Sequence, residues 1–380
     1  MIPIAKPSLG KAEQEAAAMV IASGWVTQGP KVLEFEQAVA DYVKAPYAVA
    51  VSNCTCALHA ALMALDVGKG DEVITVSHSY VATANVIFHT GAEPVFVDVR
   101  ESDFNMDPGL IEAAITPLTR AILCVHQMGT PCDVLAIQKI AQDNNLALIE
   151  DAACAIGAEY WDGSGWRHVG DPVGNIVCFS FHPRKVITTG EGGMCTTKSP
   201  ELDQRLRLLR QHGMDLNDLK RHQSTKVLFE DHVLVGYNFR MSDINAAVGV
   251  EQLKRLDEIV MHRRTLADLY RELLAPCRFV TLPADDAIRR STWQSFCMTL
   301  HDDSPIQRDA LMEKLLSEGI ATRRGVMNAH EQSAYQGRSN RFPLFVSERL
   351  NRQSIILPMP NEMSLDQVHT VATKIKEAIG

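Results

Sequence analysis

From about residue 47 the chain alternates short apolar runs with stretches of helical periodicity. The runs are 47–52, 72–76, 94–99, 121–125, 147–151, 176–181 and 193–197. They are apolar or β-branched throughout, as strands covered on both faces are. Segments 57–65, 81–89, 108–115 and 134–144 between them carry helical spacing. Repeated strand–helix alternation predicts an α/β fold with a mostly parallel sheet. Ligands of such sheets gather beyond the carboxyl ends of the strands. Asp151 and Ser180 both fall at such ends.

Past Asn238 the pattern changes. A long helical stretch is expected over 242–274, with Leu253, Leu256, Ile259 and Val260 marking its apolar stripe and Pro276 following its end. A strand at 295–300, a helix at 308–318, a strand near 355–357 and a helix at 364–379 then read as a small α+β unit. The division expected is a large domain over 1–245 and a small C-terminal domain over 246–380, joined by the long helix. A chain of 380 residues has the length for two domains.

The balance of 46 acidic against 37 basic residues gives a formal net charge of −9. That balance disfavours a nucleic acid or an anionic membrane as the main partner. No apolar run reaches the roughly 18 residues a bilayer demands, and the first residues lack a secretory layout. Nine cysteines without a C-x-x-C pair read as small buried side chains of a reducing cytoplasm. His59, His126, His182 and His330 show no metal-ligand spacing, so no metal is expected.

Chemistry concentrates where the run 176–181 meets Ser180-Phe181-His182-Pro183-Arg184-Lys185 and the turn Gly190-Glu191-Gly192-Gly193. A lone lysine beside Arg184 would ordinarily be a solvated surface group. The serine five residues before Lys185 and the glycine turn after it point instead to an amine held in a fixed loop. Asp151 alone would be read as a cap for the next helix. Its neighbour Glu150 faces the other side of the strand and reads as structural. An amine for a Schiff base, a hydroxyl for a phosphate and an acid for a pyridine nitrogen are together what pyridoxal phosphate (PLP) requires of its host. The acid keeps the ring nitrogen protonated, so the ring can accept electron density.

Other residues fit around that reading. Ser52-Asn53-Cys54-Thr55-Cys56-Ala57 joins a strand to a helix, where free N–H groups and the helix dipole favour a phosphate. An ordinary cap by Asn53 or Thr55 is the plainer alternative. Tyr80 follows the run 72–76 and offers a flat ring for stacking, although lone aromatics usually belong to the core. Arg323, Arg324 and His330 could meet an anionic substrate.

Taken in order, these pieces resemble the DegT/StrS family of PLP-dependent sugar aminotransferases, which have the aspartate-aminotransferase fold (fold type I). The resemblance starts at Gly24-Trp25-Val26-Thr27-Gln28-Gly29-Pro30. It continues through 51–58, Tyr80-Val81-Ala82-Thr83, Glu150-Asp151-Ala152-Ala153, 180–194, Leu209-Arg210-Gln211-His212-Gly213 and 236–243. It implies that Lys185 links to the cofactor and shuttles protons, that Asp151 partners the pyridinium and that Tyr80 covers the ring. Thr55 and Ser180 become phosphate ligands, with Asn238 supplied by a neighbouring subunit, which implies a homodimer with shared active sites. Cys54 and Cys154 fall at cofactor-binding positions, where the family often has Gly and Gln, His or Glu. Thr27, Arg323 and His330 are the expected substrate contacts.

The activity so implied moves the amino group of glutamate to a keto group of a nucleotide-linked sugar, first of all a 4-keto-6-deoxy hexose. A 3-keto sugar or a keto-cyclitol is an alternative acceptor. A PLP-dependent sugar dehydratase is another reading, but relatives of that kind typically replace the lysine with histidine. A non-enzymatic regulator is disfavoured by the acidic balance and by the lack of any DNA-binding module.

Overall fold

The computed structural model describes residues 1–216, 227–284 and 286–380. In chain order its strands are β1 (Tyr47–Val51), β2 (Glu72–Val76), β3 (Glu93–Val97), β4 (Thr119–Val125), β5 (Ala147–Asp151), β6 (Glu159–Trp161), β7 (Trp166–His168), β8 (Ile176–Ser180), β9 (Gly193–Thr197), β10 (Val280–Thr281), β11 (Arg289–Arg290), β12 (Phe296–Leu300), β13 (Arg323–Arg324) and β14 (Ser354–Leu357). The helices are α1 (Lys11–Ser23), α2 (Pro30–Val43), α3 (Cys54–Ala64), α4 (Ala82–Thr90), α5 (Val134–Asp143), α6 (Pro200–Arg210), α7 (Asp243–Leu253), α8 (Leu256–Leu274), α9 (Arg308–Ser317), α10 (Phe345–Gln353) and α11 (Leu365–Ile379).

All seven apolar runs are strands of one sheet, ordered β1-β9-β8-β5-β4-β2-β3. Strands β3, β2, β4, β5 and β8 pair in parallel. Strand β9 runs antiparallel to both β1 and β8. Helices cover both faces of such a sheet, which is why its strands are apolar from end to end. Val49, Ile74, Ile122, Ile149, Val177 and Phe179 are all buried in this core with Leu58 and Leu62 of α3. A second core gathers Leu266 and Tyr270 of α8, Phe296 and Met298 of β12, Ile355 and Leu357 of β14, and Val371 and Ile375 of α11. It lies on a four-stranded sheet ordered β10-β12-β14-β13.

Two expected helices are corrected. The segment 108–115 forms two short 3₁₀ turns, Pro108–Leu110 and Glu112–Ala114. Gly109 weakens a helix at its start, and Thr116 precedes Pro117, so the chain leaves helical space by Ile115 (φ −71°, ψ 132°). The long helix expected over 242–274 is two helices, α7 and α8. Arg255 (φ −104°, ψ 0°) breaks the run. Its guanidinium donates to Ser8 Oγ at 3.0 Å and Glu13 Oε1 at 3.5 Å. Among the described residues no helix is long and apolar enough to cross a membrane.

Candidate active site

Strand β5 delivers Asp151 to the carboxyl edge of the sheet, and the backbone on either side fixes it there. His126 N donates to Asp151 O at 3.0 Å, and Ala152 N donates to Cys178 O at 2.8 Å. The buried carboxylate accepts from Thr83 Oγ1 (2.8 Å) and from Ala153 N (3.1 Å). Burial holds its pKa above the usual carboxylate value, against those hydrogen bonds and the nearby charges of Lys185 and His126. Glu150 points to the opposite face, where its Oε2 lies 3.1 Å from His126 Nε2.

One strand over, Ser180 ends β8 in a buried position, and its Oγ accepts from His182 N at 3.4 Å. The following turn is closed by Lys185 N donating to His182 O (2.8 Å). Lys185 is half-buried, and its Nζ donates to Cys154 Sγ at 3.1 Å. Burial works against the ammonium, but Cys154, Cys54 and Asp151 outweigh it and raise the Lys185 pKa above its ordinary value. The glycine turn then reverses the chain into β9. Asn245 of α7 braces this turn, donating to Thr189 O (2.7 Å) and Glu191 O (2.8 Å).

The start of α3 faces the same space. Asn53 is its cap, accepting from Cys56 N at 2.9 Å. Cys54 and Thr55 occupy the first turn, whose amides have no helical carbonyl to bond. Gly193 lies so close that a Cβ there would sit 2.5 Å from Asn53 C and O. Burial, followed by the charge of Asp151, pushes the Cys54 thiol well above its ordinary pKa.

The remaining expected site residues lie farther out. Tyr80 is 68% exposed. Asn238 and Thr27 are exposed, and the Thr27 carbonyl accepts from Asp243 N at 3.1 Å. Arg323 is exposed on β13, and partial burial together with Arg184 lowers its pKa. His330 Nδ1 lies 2.6 Å from Ser77 Oγ, and the His330 amide donates to the same oxygen at 3.0 Å. His330 also lines a cleft of about 430 Å³ beside β3 with Phe88, Arg338 and Arg341. Thr83 and Arg184 were not singled out by residue type. Each stands within a quoted motif, and a hydroxyl three residues past Tyr80 was the available signal for Thr83.

This donor set suits PLP: an amine, a buried acid within electrostatic reach of it, and a helix start with two hydroxyls for a phosphate. A seven-stranded sheet carrying that set defines a PLP-dependent transferase of fold type I. The chain belongs to the DegT/DnrJ/EryC1/StrS aminotransferase family, whose model matches residues 7–376. It resembles Helicobacter pylori PseC, an aminotransferase involved in the biosynthesis of pseudoaminic acid. Identity is 27% over 100% of this chain and 99% of that one, with a TM-score of 0.91. It also resembles DesI, solved in the presence of its TDP-sugar product, at 31% identity over 99% and 93% of the two chains and a TM-score of 0.88. A third relative, a Streptococcus pneumoniae protein described as a sugar aminotransferase and solved in its PMP-form, is 27% identical over 100% and 99%, with a TM-score of 0.92.

Proposed function

We propose that this aminotransferase takes its amino group from glutamate and delivers it to a keto group of a nucleotide-linked sugar, with a 4-keto-6-deoxy hexose as first choice. The observation that carries the reading is the half-buried Lys185 amine facing the end of β5, with Asp151 buried nearby. When bound, PLP supplies the electron sink for breaking the bond to the donor's α-hydrogen. Lys185 would hold the cofactor and would carry the proton to and from the reacting carbon. Asp151 keeps the ring nitrogen protonated. The Cys54 and Thr55 amides, with the Thr55 and Ser180 hydroxyls, hold the phosphate.

The acceptor is argued from charge. Arg184 and Arg323 lie close enough to act on each other electrostatically. Two neighbouring guanidinium groups, one of them adjoining Lys185 in sequence, suit the diphosphate of a nucleotide sugar. The TDP-sugar product of DesI and the pseudoaminic acid route of PseC favour the same class. Thr27 and His330 complete the proposed substrate contacts, and Tyr80 the cover over the ring. Lys185 weighs against the dehydratase reading.

The proposed working unit is a homodimer in which Asn238 reaches the phosphate held by the neighbouring subunit. Val227 (82% exposed), Phe229 (90%) and Val235 (88%) precede Asn238 and are exposed apolar side chains of the kind such a contact would cover. Each subunit would divide near residue 245 into a large and a small domain. The free cysteines suit a reducing cytoplasm.

Incubation with glutamate and a panel of keto nucleotide sugars, read by mass spectrometry, tests the assignment. The expected result is an amino sugar nucleotide together with 2-oxoglutarate. Lys185→Ala should abolish both this product and the visible absorbance of lysine-linked PLP. A variant that keeps both rules the assignment out.

A further inference from the structure

A thiol stands beside the Lys185 amine. Cys154 Sγ lies 3.1 Å from Lys185 Nζ and is that amine's hydrogen-bond acceptor among the described residues. The thiol is held in place from behind. Cys154 O accepts from Thr292 Oγ1 at 3.0 Å, and Gly129 (φ +95°) lies against both, where a Cβ would sit 2.1 Å from Thr292 Oγ1 and 3.0 Å from Cys154 O. Cys154 is therefore fixed three residues beyond Asp151, over the lysine.

We propose that Cys154 is a positioning residue for Lys185, and that Nζ and Sγ share one proton. The ammonium–thiolate pair and the amine–thiol pair then interconvert by moving that proton from nitrogen to sulfur and back. No third reagent is consumed. The consequence is a supply of neutral, nucleophilic amine that stays nearly constant between the two macroscopic titrations of the pair. A lysine without such a partner would lose neutral amine about tenfold for each unit of falling pH. The other titratable groups facing the pair are Asp151 from β5, Cys54 from α3 and His182 from the lysine's own turn. The buried carboxylate stabilises the ammonium. The Cys54 thiol is pushed up by burial and stays protonated.

The inference rests on Lys185 being the cofactor lysine, and one arm of the test does not use the cofactor. In the first arm, cofactor-free protein is mixed with PLP from pH 6 to pH 9 and uptake is followed by visible absorbance. Wild type should rise with pH and then flatten into a plateau within this range, because the raised Lys185 pKa puts the pair's upper titration beyond it. Cys154→Ala should show a single limb with no plateau, and Cys154→Ser should behave like Cys154→Ala while keeping its Tm. Identical profiles in wild type and Cys154→Ala, or full rescue by serine, overturn the proposal. In the second arm, cofactor-free protein is alkylated with iodoacetamide at pH 6.5 and Cys154 is followed by peptide mapping. Lys185→Met should slow its labelling about tenfold, because the cation no longer favours the thiolate. Labelling at an unchanged or faster rate overturns the pairing. If wild type takes up no PLP but the second arm gives the expected slowing, the PLP reading fails and the amine–thiol pair stands.

Discussion

Asp151 holds its carboxyl where burial raises the pKa. A carboxyl raised in the folded state contributes stability while it is protonated, and that contribution is lost as pH rises through the folded pKa. At neutral pH the cofactor-free protein bears this cost, which a protonated pyridine nitrogen would offset. Asp151→Asn is thus expected to leave the Tm of the cofactor-free protein unchanged or higher. The same change should weaken PLP binding by about tenfold or more, since losing a buried charge partner exceeds the ~1.4 kcal/mol that a factor of ten represents. Calorimetry with and without PLP separates the two effects, and a Tm that falls without cofactor would mark Asp151 as chiefly structural. His126, directly behind it, is a different case. Its Nδ1 accepts from Cys132 N (3.0 Å) and its Nε2 meets Glu150 Oε2 (3.1 Å). His126→Ala would strand the buried Glu150 carboxylate and lower stability by about 3–5 kcal/mol. Urea denaturation measures this, and a loss below about 1 kcal/mol would mean that Glu150 finds another partner.

At the scale of elements, β9 and the start of α3 meet closely where the phosphate is proposed to bind. A methyl group on Gly193 would strike Asn53 backbone atoms at 2.5 Å and Cys54 N at 2.7 Å, and backbone cannot swing aside as a side chain can. Gly193→Ala should displace the start of α3, cost about 1–3 kcal/mol of stability, and weaken PLP binding more than it lowers Tm. A binding constant equal to wild type would show that the helix start does not touch the phosphate. The strands of the central sheet were legible because burial on both faces writes a continuous apolar run. The opposite direction of β9 was not, since burial on both faces looks the same in either orientation. The break at Arg255 was hidden because Leu253 and Leu256 continue one apolar stripe across it. The residues at the carboxyl edge, Asp151, Ser180 and Lys185, could be read because each ends or follows a legible strand. Tyr80 and Asn238 could be located but their partners could not, since both are exposed and what they face is not written in their own neighbourhood.

For the whole molecule, the proposed shared site makes a numerical prediction. A subunit carrying Lys185→Ala keeps a usable Asn238, and one carrying Asn238→Ala keeps a usable Lys185. Each mixed dimer then holds one complete site. With random assortment, refolding the two variants together should restore roughly a quarter of wild-type activity, from two preparations that are each nearly inactive. Mixtures no better than the sum of their parts would place Asn238 in its own subunit's site. The two cores also meet near the site. Arg263 of α8 donates to Trp293 O (2.8 Å), Met359 O (2.7 Å) and Asn361 Oδ1 (2.7 Å), and Asn361 Nδ2 donates to Val186 O (2.8 Å), next to the lysine.

Because β9 runs against both of its neighbours, it begins at the very edge where β8 ends. The stretch 181–192 is consequently a leash tied at both ends, with Phe181 N bonded to Gly192 O at 2.9 Å and Thr189 N to Phe181 O at 3.0 Å. Such a leash has little slack. Any travel of the Lys185 nitrogen must come from four methylene groups pivoting on an anchored backbone, so its reach is short and repeatable.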